Sequence, residues 1–307
     1  MLATFNAKIG SWGTGNDQFD EPDQVTGDGT YIWVIEANGH RINKRLMANL
    51  SFVAKLGSST PGNDGFTKAR GICNDGTNLY VADSDYVVGG GFGRITKRLM
   101  SDMSFVAGTT YLMNFPMEIC TNGTHCWLME WSGGPFVTKI LCSDLSVVTR
   151  TGSSGTGNDQ FTTPYGICHD GTHLYIGDTG NGRVVKRLMT DSSYVAQYGS
   201  AGSGQDQLST ATRTGMSYYN GNIYIADGGN DRIMVRRASD LSYVYHWGTT
   251  GLGDSQFNNP HGSYRSGAFI YITDQDFADD RLVKWSISGD LSTTSDTPPQ
   301  FYGRGSA

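Results

Sequence analysis

Six carboxylates recur at one position along the 307-residue chain, at Glu36, Asp83, Glu130, Asp178, Asp227 and Asp274. Carboxylates gathered around an axis could hold a hard divalent cation such as calcium. Five of the six are followed by an arginine, at Arg41, Arg94, Arg183, Arg232 and Arg281. An acid that returns with its own base in almost every repeat is expected to pin a loop rather than to perform one reaction. Glu130 stands apart, because Phe136-Val137 takes the place of the arginine. A carboxylate without a neighbouring cation tends to hold a metal ion or to have a raised pKa.

A second set varies where the first is constant. Six segments read Pro-x-Gly-Ile or a variant of it, and the residue before the glycine is Asp23, Arg70, Met117, Tyr165, Thr214 and His261 in turn. Gln24 and Glu118 stand in place of the glycine itself, and Trp131 falls on the same predicted face as Met117. Acid, base, aromatic ring and imidazole around one opening suit the mouth of a ligand site. Asp23 and His261 become neighbours if the chain closes on itself, which makes an acid–imidazole pair. Asp23, Glu118, Glu130 and His261 are the candidate ligands for a divalent cation, calcium or zinc, in a central channel. No residue is assigned a catalytic role.

The elements that carry these residues repeat. Equivalent turn positions are Asp28, Asp75, Asn122, Asp170, Tyr219 and Ser266, and subtraction of their numbers gives spacings of 47, 47, 48, 49 and 47. Each unit contains four short β-runs, here a to d. Residues 164–168 (Pro-Tyr-Gly-Ile-Cys) are run a, 174–178 (Leu-Tyr-Ile-Gly-Asp) run b, 183–188 (Arg-Val-Val-Lys-Arg-Leu) run c and 193–196 (Ser-Tyr-Val-Ala) run d. Asp-Gly or Asn-Gly between a and b is the strongest short hairpin signal. Ser-Asp-Leu-Ser between c and d, as at 239–242, suits a type I turn. No window has apolar residues at helical spacing over ten or more positions. A period of 40 to 50 residues in a β-rich chain is the arithmetic of a propeller.

The expected fold is therefore all-β, a six-bladed β-propeller with four antiparallel strands per blade. Residues 3–10 match the end of a repeat, since Thr4-Phe-Asn-Ala-Lys-Ile-Gly10 aligns with Ser51-Phe-Val-Ala-Lys-Leu-Gly57. This N-terminal strand is expected to close the ring by pairing in the last blade, which removes two exposed sheet edges. One propeller spans 1–290, with units at about 11–57, 58–108, 109–150, 151–199, 200–248 and 249–290. Residues 291–307 form a C-terminal tail, a wrap or frayed end, the rival being that it supplies the closing strand. The glycine-rich stretch from Ser84 to Gly93 reads as a loop over the mouth. The Lys-Arg pairs of run c are expected to be solvated, edge-protecting charges.

The combination of Asp-Gln-Phe, Pro-x-Gly-Ile, Asp-Gly, Leu-Tyr-Val-Ala-Asp and Asn-x-Arg-Ile resembles the NHL repeat, and it covers residues 3 to 290. The resemblance implies six blades, with run a lining the channel and the d–a and b–c loops sharing one face. It implies no single activity, because the family includes protein-binding and RNA-binding modules, receptor ectodomains and a zinc-dependent amidating lyase. Gluconolactonase-like and strictosidine synthase-like enzymes are related propellers.

Composition narrows the classes. A net charge of −6 disfavours nucleic acid, whose phosphates need a basic face. No run approaches the roughly 20 apolar residues of a membrane span, and Met1-Leu-Ala-Thr-Phe lacks the basic start of a signal peptide. The default location is cytoplasmic, with a surface or particle-associated place left open. The five cysteines have no C-x-x-C spacing, and Cys73, Cys120 and Cys168 read as small buried hydrophobes. No Walker loop, Gly-x-Ser-x-Gly elbow or His-Glu-x-x-His appears. A non-enzymatic propeller that recognises a protein or glycan through its loop face is the expected function, also as part of a larger assembly. A metal-assisted lyase or hydrolase at the channel mouth is the alternative.

Overall fold

Four of the six a–b turns are held by their own acidic or amide side chain. Asp28 Oδ1 accepts the N–H groups of Thr30 at 2.8 Å and Tyr31 at 2.6 Å, and Asp75, Asn122 and Asp170 repeat the arrangement. The following residue sits at φ 96° in Gly29 and at 92° in Gly171. A side chain rarely adopts that conformation, so glycine is required there.

In this computed structural model the described residues are 2–60, 62–87, 92–109, 113–131, 133–275 and 279–289. The turns connect antiparallel strands into six sheets around one axis, ordered a-b-c-d from the inside. The innermost strands are Pro22–Gly27, Ala69–Asn74, Pro116–Thr121, Pro164–His169, Thr214–Tyr219 and Pro260–Ser266. The sixth sheet is completed by Leu2–Ile9, paired with Arg281–Ser288 from Leu2↔Ser288 to Ile9↔Leu282. The N-terminal strand thus closes the ring, and the 291–307 tail lies outside the described residues. The second sheet carries one extra pairing, Met113–Asn114 on Phe92–Gly93.

The core lies between blades. Trp33 and Ile35 of the first sheet pack with Leu79 and Val81 of the second. Phe19 and Val34 of the first pack with Tyr271 and Leu282 of the sixth, which joins the two ends of the ring. A period-two pattern on both faces of each sheet is what such stacking requires. The five cysteines are free thiols buried in this core, with Cys126 Sγ 3.5 Å from Cys142 Sγ.

The Lys-Arg pairs depart from expectation. They are buried, apart from the half-buried Lys97, rather than solvated. The c–d turns leave carbonyls that need donors, and the pair supplies them in two directions. Arg45 Nη1 donates to its own turn at Leu50 O, 2.8 Å, and Arg98, Arg187 and Arg236 do the same at Met103, Ser192 and Leu241. Lys44 Nζ reaches the next blade at Ser101 O, 3.0 Å. Lys186 reaches Ser239 O at 2.9 Å, and Lys284 closes the circle at Ala48 O, 2.8 Å. The same arginines lie over the phenylalanine of the Asp-Gln-Phe segments, Arg45 over Phe19 at 4.9 Å and Arg187 over Phe161 at 5.0 Å. The Lys-Arg pair is an inter-blade latch.

Candidate functional site

The six recurrent acids lie at the ends of the b strands, in the face formed by the d–a and b–c loops. Each accepts a backbone N–H from the d–a loop that enters its blade. Asp20 donates to Glu36, Thr67 to Asp83, Asn114 to Glu130, Thr162 to Asp178, Ser209 to Asp227 and Asn258 to Asp274, at 2.7 to 3.0 Å. The paired arginine sits at 2.8 Å from Glu36 and Asp178, 2.9 Å from Asp227, 2.6 Å from Asp274 and 3.6 Å from Asp83. These arginines continue into the loop carbonyls, as Arg183 does at Thr156, Gly157 and Gln160. Glu130 is not unpaired: Arg150, on the outermost strand of the same blade, places Nε 3.0 Å from its carboxylate. Strand register explains the replacement, because Arg150 lies opposite Thr138, beside Glu130 in the sheet.

One further acid in this face titrates near neutrality. Asp280 accepts the Glu21 N–H at 2.7 Å, and burial, with Asp20, Glu21 and Glu36 adding repulsion, pushes its carboxyl up to about 7. The folded form therefore holds a proton that the unfolded chain releases near pH 4. Stability from this group is complete below pH 4 and declines as pH rises to 7. Asp280→Asn is expected to raise the melting temperature by a few degrees at pH 8 and to leave it unchanged at pH 4. Equal shifts at both pH values in a thermal scan would refute the assignment.

The channel mouth gathers part of the predicted set. Arg70 Nη1 donates to Asp23 Oδ2 at 3.0 Å, and Arg213 Nη1 donates to the same oxygen at 2.6 Å. His261 Nδ1 lies 3.7 Å from Asp23 Oδ1. Burial works to raise the Asp23 carboxyl, but Arg213, His261 and Arg70 outweigh it and hold it well below the usual carboxylate range. Burial, with Arg213 and Arg70 adding, also lowers His261, against the pull of Asp23. Tyr165 lies under the Arg213 guanidinium at 5.5 Å from the ring centre. Trp131 stands next to it, 6.5 Å between ring centres and tilted by 32°, with Phe115 edge-on behind it at 5.6 Å. Trp131 is 39% exposed.

Met117 and Thr214 are elsewhere. Met117 is buried among Trp127, Phe161 and Ile167, and Thr214 is buried against the Thr179 hydroxyl at 3.1 Å. The reason for Thr214 lies in the bulge. Five innermost strands carry one extra residue after the position that faces the b-strand acid, as in Pro22↔Glu36 followed by Val25↔Val34. The fifth strand pairs without a shift, Thr214↔Asp227 and Gly215↔Ala226. Thr214 therefore occupies the place that proline takes in four of the other strands and Ala69 in the second, and Arg213 reaches the mouth. A missing proline would not have revealed this, since the second strand has Ala69 at that place and keeps its bulge.

Below the mouth the innermost strands approach so closely that a Cβ at Gly71, Gly166, Gly215 or Gly262 would collide with a carbonyl of the next blade. Gln24 and Glu118 are the exceptions. Gln24 Oε1 accepts the Val25 N–H at 2.9 Å, and Glu118 Oε2 accepts the Ile167 N–H of the next blade at 2.9 Å. Burial, with the Asp23 charge adding, pushes the Glu118 carboxyl well above its usual range, against the pull of the Ile167 and Met216 N–H groups. Glu118 is lodged across the channel. Beyond it a cavity of about 250 Å³ opens toward the a–b turns, lined by Ile72, Cys73, Cys120, Cys168, Met216 and their neighbours. The charged cluster and this open volume occupy opposite ends of the channel. The rim of the cavity is stitched by inter-blade bonds, Asn74 to Gly27 O, His169 to Thr121 O and Ser217 to Ser263.

The expected loop from Ser84 to Gly93 is shorter than the glycines suggest. Strands run to Val87 and resume at Phe92, with Val87↔Phe92 paired, and residues 88–91 lie outside the described set. Among the described residues, no three His, Cys, Asp or Glu side chains come together as a metal-ligand group, so the four proposed cation ligands do not form one set. Among the same residues, no helix is long and apolar enough to cross a membrane.

No family model and no curated protein matches the sequence. Solved structures do. The PQQ-bound aldose sugar dehydrogenase of Streptomyces coelicolor superposes with a TM-score of 0.63 at 10% identity, over 93% of this chain and 98% of that one. A luciferin-regenerating enzyme gives 0.62 at 10% identity over 94% and 96%. Virginiamycin B lyase of Staphylococcus aureus gives 0.53 at 12% identity over 84% and 77%. These likenesses show the propeller fold, a fold that serves enzymes as well as other proteins, and no more than the fold.

Proposed function

We propose that the chain is a binding propeller that holds a glycan across the mouth of its channel. The observation that carries this reading is the half-exposed Trp131, braced by Phe115 and set beside Tyr165 on the rim. An aromatic face kept in solvent, with its neighbours fixed behind it, is suited to the apolar face of a sugar ring. Polar groups at the same mouth, Asp23, Arg70 and Arg213, supply orientation. A metal-assisted lyase or hydrolase would use Asp23, Glu118, Glu130 and His261 as metal ligands or acid–base groups. Asp23 is bound by two guanidiniums and Glu130 by Arg150, which leaves the binding reading as the better supported one.

The test is a glycan array probed with the full chain, followed by titration of the best oligosaccharide. Trp131→Ala is expected to weaken that oligosaccharide at least tenfold, or about 1.4 kcal/mol, with the melting temperature unchanged. An array without a bound glycan, or equal affinity in the variant, would contradict the proposal. A protein ligand would then be sought on the same face.

A further inference from the structure

The mouth sets two guanidiniums against the one carboxylate they both contact, with the Glu21 charge also acting on Arg213. Two guanidiniums converge on the one oxygen Asp23 Oδ2. Their side chains are only 15% and 21% exposed, so their remaining N–H groups lie in a partly desolvated opening where hydrogen bonds to an anion are strong. Among the described residues Arg70 directs only Nη1 at a protein acceptor, and a guanidinium has five N–H donors. Arg213 also lies over Tyr165, next to Trp131. A cationic fork and an aromatic rail are thus adjacent.

We infer that the mouth selects an acidic saccharide, its carboxylate taken by Arg213 and Arg70 while the sugar ring lies on Trp131 and Tyr165. This rests on the binding reading above and adds the ligand class. A planar carboxylate matches the guanidinium fork, which a neutral sugar hydroxyl does not. Gln24 and Glu118 cross the channel immediately below and set the depth, so the acid group is expected to enter from the loop face and stop at Asp23. Binding of this kind transfers no atoms and needs no co-reactant.

The probe is a glucuronic-acid-containing oligosaccharide, compared with its carboxyl-reduced counterpart, each titrated into the intact protein. The acid form is expected to bind at least tenfold more tightly, and the difference is expected to shrink as NaCl is raised. Arg213→Gln and Arg70→Gln are expected to erase most of the difference, and Arg213→Lys to restore part of it with the fold unperturbed. The ligand comparison needs no variant, so it stands even if a substitution fails to fold. Equal affinity for the acid and reduced forms would overturn the inference and leave a glycan-binding mouth intact. Failure of both, together with an array lacking any bound glycan, would overturn the binding reading itself.

Discussion

Removal of residues 1–9 is expected to abolish the cooperative unfolding of the whole molecule and to leave an aggregation-prone product. Leu2–Ile9 is the outermost strand of the sixth sheet and comes from the opposite end of the chain. Its Phe5 ring meets Trp285 edge-on at 6.0 Å, and Ala3 and Phe5 join the apolar cluster between the fifth and sixth blades. Ala7 and Ile9 join the cluster that connects the sixth blade to the first. Loss of this burial and of one side of a ladder costs on the order of 5 kcal/mol, a large share of ordinary domain stability. It also uncovers Arg281–Ser288 as an unpaired edge. Leu2 faces Ser288 in an antiparallel register, the geometry that every other blade connects by a c–d turn. A circular permutant that joins Gly289 to Leu2 through Ser-Asp-Leu-Ser, opened at Gly10, is therefore expected to recover a single transition. A truncated chain with the wild-type midpoint in chemical denaturation would show that closure does not depend on this strand.

The second large effect is expected at Asp178. Its carboxylate is fully buried and accepts from the Thr162 N–H at 2.7 Å, Asn181 Nδ2 at 2.8 Å and Arg183 Nε at 2.8 Å. Burial raises its pKa, and these three partners act against that rise. Asp178→Ala leaves Arg183 as a buried charge without its counter-ion, which typically costs 3–5 kcal/mol. Asp178→Asn keeps an acceptor for the Thr162 N–H and is expected to lose about half as much. Guanidinium denaturation of the two variants measures both. A loss below about 1 kcal/mol in the alanine variant would place the pair with ordinary surface ion pairs and remove the account of the six recurrent acids as loop pins.

The number of blades and the manner of closure were legible because they rest on local chemistry. Asp28-Gly29, Asp75-Gly76 and Asp170-Gly171 make their hairpin turns from local chemistry, and the match of residues 4–10 to 51–57 places a fourth strand at the wrong end of the chain. What escaped was set by pairing between distant segments. Arg150 reaches Glu130 only through the register of the third sheet. Lys44 and Arg45 look like surface charge in a linear reading, yet carbonyls of two different turns bury them. Arg213 enters the mouth because the fifth innermost strand lacks the bulge of the other five, a one-residue difference hidden by alignment on Gly215. Asp23 and His261 were placed as neighbours by ring closure alone, and they stand 3.7 Å apart. The cavity beside Cys73, Cys120 and Cys168 had no counterpart in a reading that put all its chemistry at the loop face.

The most direct test of the central claim is the position of a bound sugar. A crystal structure of the protein with the oligosaccharide that binds best on the array is predicted to show its ring against Trp131 and Tyr165, with its acidic group within hydrogen-bond reach of Arg213. The sugar found instead in the cavity at the far end of the channel, beside Cys73, Cys120 and Cys168, would contradict the account.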